Sequence, residues 1–176
     1  MKKQSFSGWL DKQVKLNRIE CATLPSWIKR NNDSEYCHWD IYLGGPREER
    51  SLIPNYKKII VRAFPDKKVF DPFGPKQQSL REKDLWFINN GLAFLTSKAF
   101  VSMVPEFPMP GVGLEAGMFF INNSRLLNPL SSLIFIWPKE VKPDYGKEVC
   151  RKMGIMVETV EEAIKELRKY FYSLKR

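Results

Sequence analysis

The residues with the clearest chemistry lie in Pro110-Gly111-Val112-Gly113-Leu114-Glu115-Ala116-Gly117-Met118. An apolar, strand-like run from Phe100 to Val104 precedes them, and the apolar Met118 to Ile121 reads as a helix start. Gly111 and Gly113 permit a sharp turn and let a ligand come close to the backbone. Glu115 then falls at the helix N-terminus, where the helix dipole favours the ionised carboxylate. A carboxylate held there, beside backbone N–H groups, can serve as a nucleophile. The same spacing fits a plain helix-start glutamate after a glycine-rich turn, because Gly-x-Gly turns are weak signals. The residues by themselves leave both readings open.

Other candidate residues sit at the ends of strand-like runs. Gly44-Gly45-Pro46 closes the run Trp39 to Leu43, and Arg47 follows. Backbone amides at Gly44 and Gly45 with the Arg47 guanidinium could hold an anion. Alternatively Arg47 and Arg50 pair with Glu48 and Glu49 on the surface. Asp71-Pro72-Phe73-Gly74 closes a second run, Lys68 to Phe70. Tyr42 and Phe73 are candidates to stack on a base, Tyr42 being equally suited to the core. Asp84 stands early in a helix that Ser79 can cap. It reads either as an acid for catalysis or as a first-turn carboxylate favoured by the dipole.

These residues need elements to place them. Ile53, Tyr56, Ile59, Ile60 and Ala63 recur at helical spacing, which predicts a helix over about Leu52 to Phe64. The helix begun near Ser79 ends either at Asn89-Asn90-Gly91, with Leu92 to Leu95 as a strand, or near Ser97, with Phe100 to Val104 as the strand. The second arrangement is preferred, because its strand leads straight into the glycine-rich turn. Leu133 to Trp137 and Ile155 to Val157 read as strands, with Lys142 to Gly146 as a loop between them. Thr159 and Glu162 form a capping box. Val160, Ile164, Leu167, Phe171 and Leu174 give the last helix one apolar stripe. Continuously apolar strands alternating with helices indicate a five-stranded parallel sheet with helices on both faces, a Rossmann-like or flavodoxin-like three-layer sandwich. In such sheets ligands bind at the carboxyl ends of the strands. The loops at Gly44, Asp71 and Glu115 would converge there.

At 176 residues the chain is long enough for one domain with a full core. Residues 38–176 carry the regular pattern, and residues 1–37 read as an extension packed on it through Trp9 and Trp27. No apolar run reaches membrane-spanning length, and no apolar signal core follows the basic start. Three widely spaced cysteines, Cys21, Cys37 and Cys150, fit a reducing compartment, so a cytoplasmic protein is expected. With a single histidine and no Cys-x-x-Cys, no metal site is expected. A net charge of +9 attracts anions, but the positives are scattered. A solvated lysine-rich surface explains them better than a nucleic-acid interface.

The order of motifs resembles the nucleoside 2-deoxyribosyltransferase superfamily, which includes the 2′-deoxynucleoside 5′-phosphate N-glycosidases. The matching stretches are Ile41-Tyr42-Leu43-Gly44-Gly45-Pro46, Val69-Phe70-Asp71-Pro72-Phe73, Asp84-Leu85-x-x-Ile88, and Gly111-Val112-Gly113-Leu114-Glu115-Ala116-Gly117. Pro143-Asp144-Tyr145-Gly146-Lys147 is similar to a loop of some members, and the likeness spans about residues 38 to 174. The resemblance implies that Glu115 attacks C1′ of a deoxyribose and expels the base, and that Asp84 protonates or orients that base. It implies a nucleoside or nucleotide substrate, no cofactor, and a homo-oligomer of two or more chains. Substrate contacts would come from Tyr42, Gly44, Gly45, Arg47, Asp71, Phe73, Met109, Gly111 and Gly113. Met109 stands where transferases carry an Asp that grips the sugar and nucleotide hydrolases a Ser that grips phosphate. Cys150 stands where some transferases carry an Asn.

Overall fold

The structure is a computed structural model that describes residues 39–45, 53–74, 90–91, 93–94, 97–103, 117, 132–142 and 145–174. Its strands are β1 (Trp39–Gly44), β2 (Val69–Phe70), β3 (Ser97–Met103), β4 (Leu133–Ile136) and β5 (Ile155–Val157). Its helices are α1 (Tyr56–Ala63), α2 (Tyr145–Met153) and α3 (Val160–Ser173). All strand pairs are parallel, in the order β2-β1-β3-β4-β5. The expected five-stranded parallel sheet is therefore present.

Both sheet faces are buried, as uninterrupted apolar strands require. On one face Ile41, Leu43, Ala99, Val101, Met103, Ile134 and Ile136 pack under α1 and α3. α1 contributes Tyr56, Ile60 and Phe64 at its end, and α3 contributes Val160, Ala163, Ile164, Leu167, Tyr170 and Phe171. On the other face Tyr42, Phe100, Leu133 and Phe135 are fully buried. Phe70, Tyr42 and Phe100 form a row of stacked rings across β2, β1 and β3, with centroids 5.5 and 5.6 Å apart. Each such pair contributes about 0.5–1.5 kcal/mol beyond the area it buries. Right-handed crossovers place α2, which joins β4 to β5, on the face opposite α1, because the two connections step in opposite directions along the sheet.

Several boundaries differ from the sequence reading. α1 starts at Tyr56 and not near Leu52. Pro54 and a left-handed Asn55 (φ 58°) block extension of the helix backwards. Residues 90–91 and 93–94 are helical, which agrees with the preferred arrangement and not with a strand there. β3 begins three residues before Phe100, because polar Ser97 also pairs with Trp39 of β1. α2 was not expected at all. Tyr145 and Gly146, read as loop, form its first turn, and its exposed, charged surface carries little apolar signal. The capping box of α3 is as expected, with Glu162 N donating to Thr159 Oγ1 at 3.2 Å.

At the amino edge Asp40 of β1 is tied to β3 and to the residue that precedes β2. It accepts from Lys98 Nζ at 2.8 Å and from the backbone N of Lys68 at 3.0 Å. Burial pushes the Asp40 pKa up, but the Lys98 ammonium, the Lys68 N–H and the charge of Lys67 together bring it below its ordinary value. A lowered carboxyl pKa stabilises the fold above the unfolded-state pKa, and that stability is lost as pH falls through the folded value.

Two predictions follow from this geometry. Asp40→Asn should lower the urea midpoint at pH 7 but flatten its fall on acidification to about pH 3, below the ordinary Asp pKa of about 3.9. An unchanged pH slope would contradict the account. A Cβ on Gly154, between α2 and β5, would lie 2.2 Å from the carbonyl oxygen of Leu133. Gly154→Ala should therefore cost about 1–3 kcal/mol or more in denaturant unfolding.

Candidate functional site

The strand order creates one switch point. The chain leaves β1 toward β2 on one side and leaves β3 toward β4 on the other. In open parallel sheets, the carboxyl ends of two neighbouring strands whose connections part in this way are where ligands bind. Gly44-Gly45 ends β1 there, and Met103 ends β3.

Glycine is needed at both positions of the β1 end. Gly45 has φ +103°, and a Cβ on it would sit 2.8 Å from both the Met103 carbonyl oxygen and Tyr56 Oη. A Cβ on Gly44 would meet the Phe100 ring at 2.7 Å. The end of β1 thus turns tightly across the end of β3. Tyr56 Oη donates to the Gly44 carbonyl oxygen at 2.7 Å and fixes that turn from the first residue of α1.

Lys57, the next residue, does the same for the end of β2. Its ammonium donates to Asp71 Oδ1 at 2.7 Å and lies 4.8 Å from the centroid of the Phe73 ring. The Phe73 backbone N donates to the same Asp71 oxygen at 3.0 Å. Lys57 is only 3% exposed, whereas the Asp71 side chain is 27% exposed. The ammonium is a buried cation whose compensation is one carboxylate and aromatic ring faces. The first turn of α1 therefore fixes the end of β1 through Tyr56 and the turn after β2 through Lys57.

Of the candidate residues, the structure brings Gly44, Gly45, Asp71 and Phe73 to this edge, linked through Tyr56 and Lys57. Tyr42 is placed differently. It is fully buried in mid-strand with Phe70 and Phe100 stacked against it and Phe94 edge-on at 6.0 Å. Its ring has no open face for a base, which corrects its assignment as a stacking residue. Glu115, Asp84, Arg47, Met109, Gly111 and Gly113 lie outside the described residues. Cys150 lies on α2 and is half-buried. Among the described residues, no group of three or more His, Cys, Asp or Glu side chains could hold a metal.

Sequence reasoning missed Tyr56 and Lys57 as parts of the edge. Lys57 and Lys58 read as a solvated pair. The overlooked signal is that Lys57 falls four residues after Ile53 and three before Ile60, on the apolar stripe of α1. A lysine there is buried, and a buried lysine requires a partner. Compared with family models, with curated proteins and with solved structures, the chain finds no match.

Removing the carboxylate leaves the ammonium buried without its counter-charge. Asp71→Asn should cost about 1–3 kcal/mol of stability. Adding Lys57→Met, which keeps the apolar stem, should restore part of it. A double variant no more stable than Asp71→Asn in urea unfolding would show that the pair is not coupled.

Proposed function

We propose that the chain is a nucleoside 2-deoxyribosyltransferase-like enzyme that cleaves the N-glycosidic bond of a deoxynucleoside or deoxynucleotide. The observation that carries the reading is the strand order, with β1 and β3 adjacent at the switch point. Ligands of open parallel sheets bind at that place. Glu115 stands twelve positions beyond Met103, the last residue of β3, so the carboxylate is within chain reach of the switch point. The motif order through Gly44-Gly45, Asp71-Pro72-Phe73 and Gly111 to Gly117 supports the same reading.

In the proposed reaction a Glu115 carboxylate oxygen bonds to C1′ as the C1′–N bond breaks. Asp84 gives its proton to the departing base. Oxocarbenium character at C1′ is what a nearby carboxylate stabilises or traps. A second base, or water, then attacks C1′, expels Glu115 and returns a proton to Asp84. Water as acceptor makes the protein a nucleotide or nucleoside N-hydrolase, and a second base makes it a transferase. No cofactor is needed for either. The proposal includes a homo-oligomer in the cytoplasm, and a monomer in sedimentation would contradict the first of these.

The test is incubation with deoxynucleosides and their 5′-monophosphates, with and without a second base, followed by chromatography for free or exchanged base. Wild type should release base, Glu115→Gln should not, and Asp84→Asn should be roughly 10²–10⁴-fold slower. Turnover retained in Glu115→Gln would overturn the assignment. Binding with no turnover in wild type would make the chain a catalytically silent nucleotide-binding protein.

A further inference from the structure

Asn90 lies in the helical residues that precede β3, and it is 6% exposed. Its side-chain oxygen Oδ1 is buried and accepts no hydrogen bond. Buried polar atoms are nearly always paired, so an orphaned acceptor calls for an explanation.

Its position in the fold supplies one. Phe94, four residues on, sets its ring edge-on to Tyr42 of β1. Residues four apart lie on the same side of a helix, so Asn90 is on the sheet-facing side as well. The helical residues deliver the chain to the amino end of β3, so they run from the carboxyl edge of the sheet toward the amino edge. Four helical residues rise about 6 Å. Asn90 therefore lies nearer the carboxyl ends of the strands than Phe94, on the face opposite α1.

Polar character recurs on this face at the carboxyl end of the strands. Ser102, paired with Gly44 across β1 and β3, is fully buried. Its hydroxyl makes only a long bond, 3.3 Å, to the carbonyl oxygen of Met103. On the same face, Tyr42, Phe100 and Phe135 are aromatic. Ser102 thus stands where the aromatic layer of this face ends, at the carboxyl end of β3.

We propose that Asn90 is a ligand-binding residue of the switch-point site, with Oδ1 accepting a hydrogen bond from a donor group of the bound molecule. The inference rests on the nucleoside reading for its ligand class. Two donors fit: an amine or ring N–H of the base, and a hydroxyl of the sugar. An amide cannot act as the proton donor to a leaving base at neutral pH, so the role is binding and not acid catalysis. Leaving the acceptor unpaired in the free protein has a further consequence. The ligand gains a preformed, desolvated partner, while the empty protein carries a desolvation penalty.

That consequence separates a binding role from a packing role. Asn90→Leu, of similar shape, removes the orphan and should raise Tm by about 2–4 °C. The same change should weaken binding at least tenfold. The experiment is isothermal titration of wild type, Asn90→Leu and Asn90→Ala with the four common 2′-deoxynucleosides and their 5′-monophosphates. For whichever probe binds, an analogue lacking the base donor and a 3′-deoxy analogue identify the group held. Substitution of Asn90 should have no effect on the affinity of the analogue that lacks that group. Asn90 variants that bind as tightly as wild type would overturn the assignment of Asn90 and leave the nucleoside reading intact. A lowered Tm for both variants with unchanged affinity would make Asn90 a packing residue. No binding of any probe by wild type would overturn both readings.

Discussion

Pairing between β1 and β3, from Trp39 beside Ser97 to Gly44 beside Ser102, is the longest register in the sheet, and the rest of the structure is hung on it. β2 adds to the free side of β1, and β4 and β5 add to the free side of β3. Because the strands are parallel, every connection crosses a face, and both faces become buried. Neither face is then left for chemistry. What remains are the ends of the strands, and of these the carboxyl ends of β1 and β3 are the place where connections part in opposite directions. Gly44 and Gly45 follow from that constraint. The β1 end has to pass over Met103 and under Tyr56 at distances that exclude a side chain.

The two edges of the sheet are tied by charge in different ways. At the amino edge, Asp40 and Lys98 join β1 to β3, and the Lys98 side chain is 44% exposed. Water screens that pair, so its value is modest and depends on pH. At the carboxyl edge, Lys57 is nearly inaccessible, and the weakening of its pair with Asp71 would leave a cation in an aromatic setting. The amino-edge tie can loosen without exposing a buried charge, whereas the carboxyl-edge tie holds two loops firmly. A site built there gains a fixed geometry from the first turn of α1.

Much of this was legible in the chain. Leu133 to Ile136 and Ile155 to Val157 stand out because a strand buried on both faces must be apolar at every position, and no helix of that length is stable alone. The capping box at Thr159 is local chemistry and reads directly. α2 did not read, because Pro143 just before it in the sequence and Gly146 in its first turn are turn signals and its outer surface is charged. Tyr42 did not read because an aromatic at a strand centre carries the same local signal whether it stacks on neighbouring strands or on a ligand. Only the pairing of Tyr42 with Phe70 and Phe100 across three strands decides it. Lys57 was hidden by Lys58. Two adjacent lysines look solvated until the stripe of α1 shows that Lys57 lies on it and Lys58 does not. The chemistry assigned to Glu115 and Asp84 stays with sequence resemblance, since both lie outside the described residues.

Hydrogen-bond satisfaction elsewhere gives the Asn90 amide its weight. Tyr56 Oη reaches Gly44, Ser97 Oγ reaches Ala93, Trp137 Nε1 reaches Val141 and Tyr170 Oη reaches Lys98, all at 3.1 Å or less. Among the described residues Asn90 Oδ1 is the exception. An unpaired buried acceptor costs about 1–3 kcal/mol, a large part of a typical folding free energy. A leucine would fill the same space without that cost, so packing alone gives no reason for an amide. A ligand does give one. Binding sites keep polar groups that the free protein cannot satisfy, because the same desolvation that weakens the fold strengthens the contact once a donor arrives. Asn90 sits on the face opposite α1, on the carboxyl side of Phe94, and it is toward the carboxyl ends of the strands that ligands of parallel sheets bind.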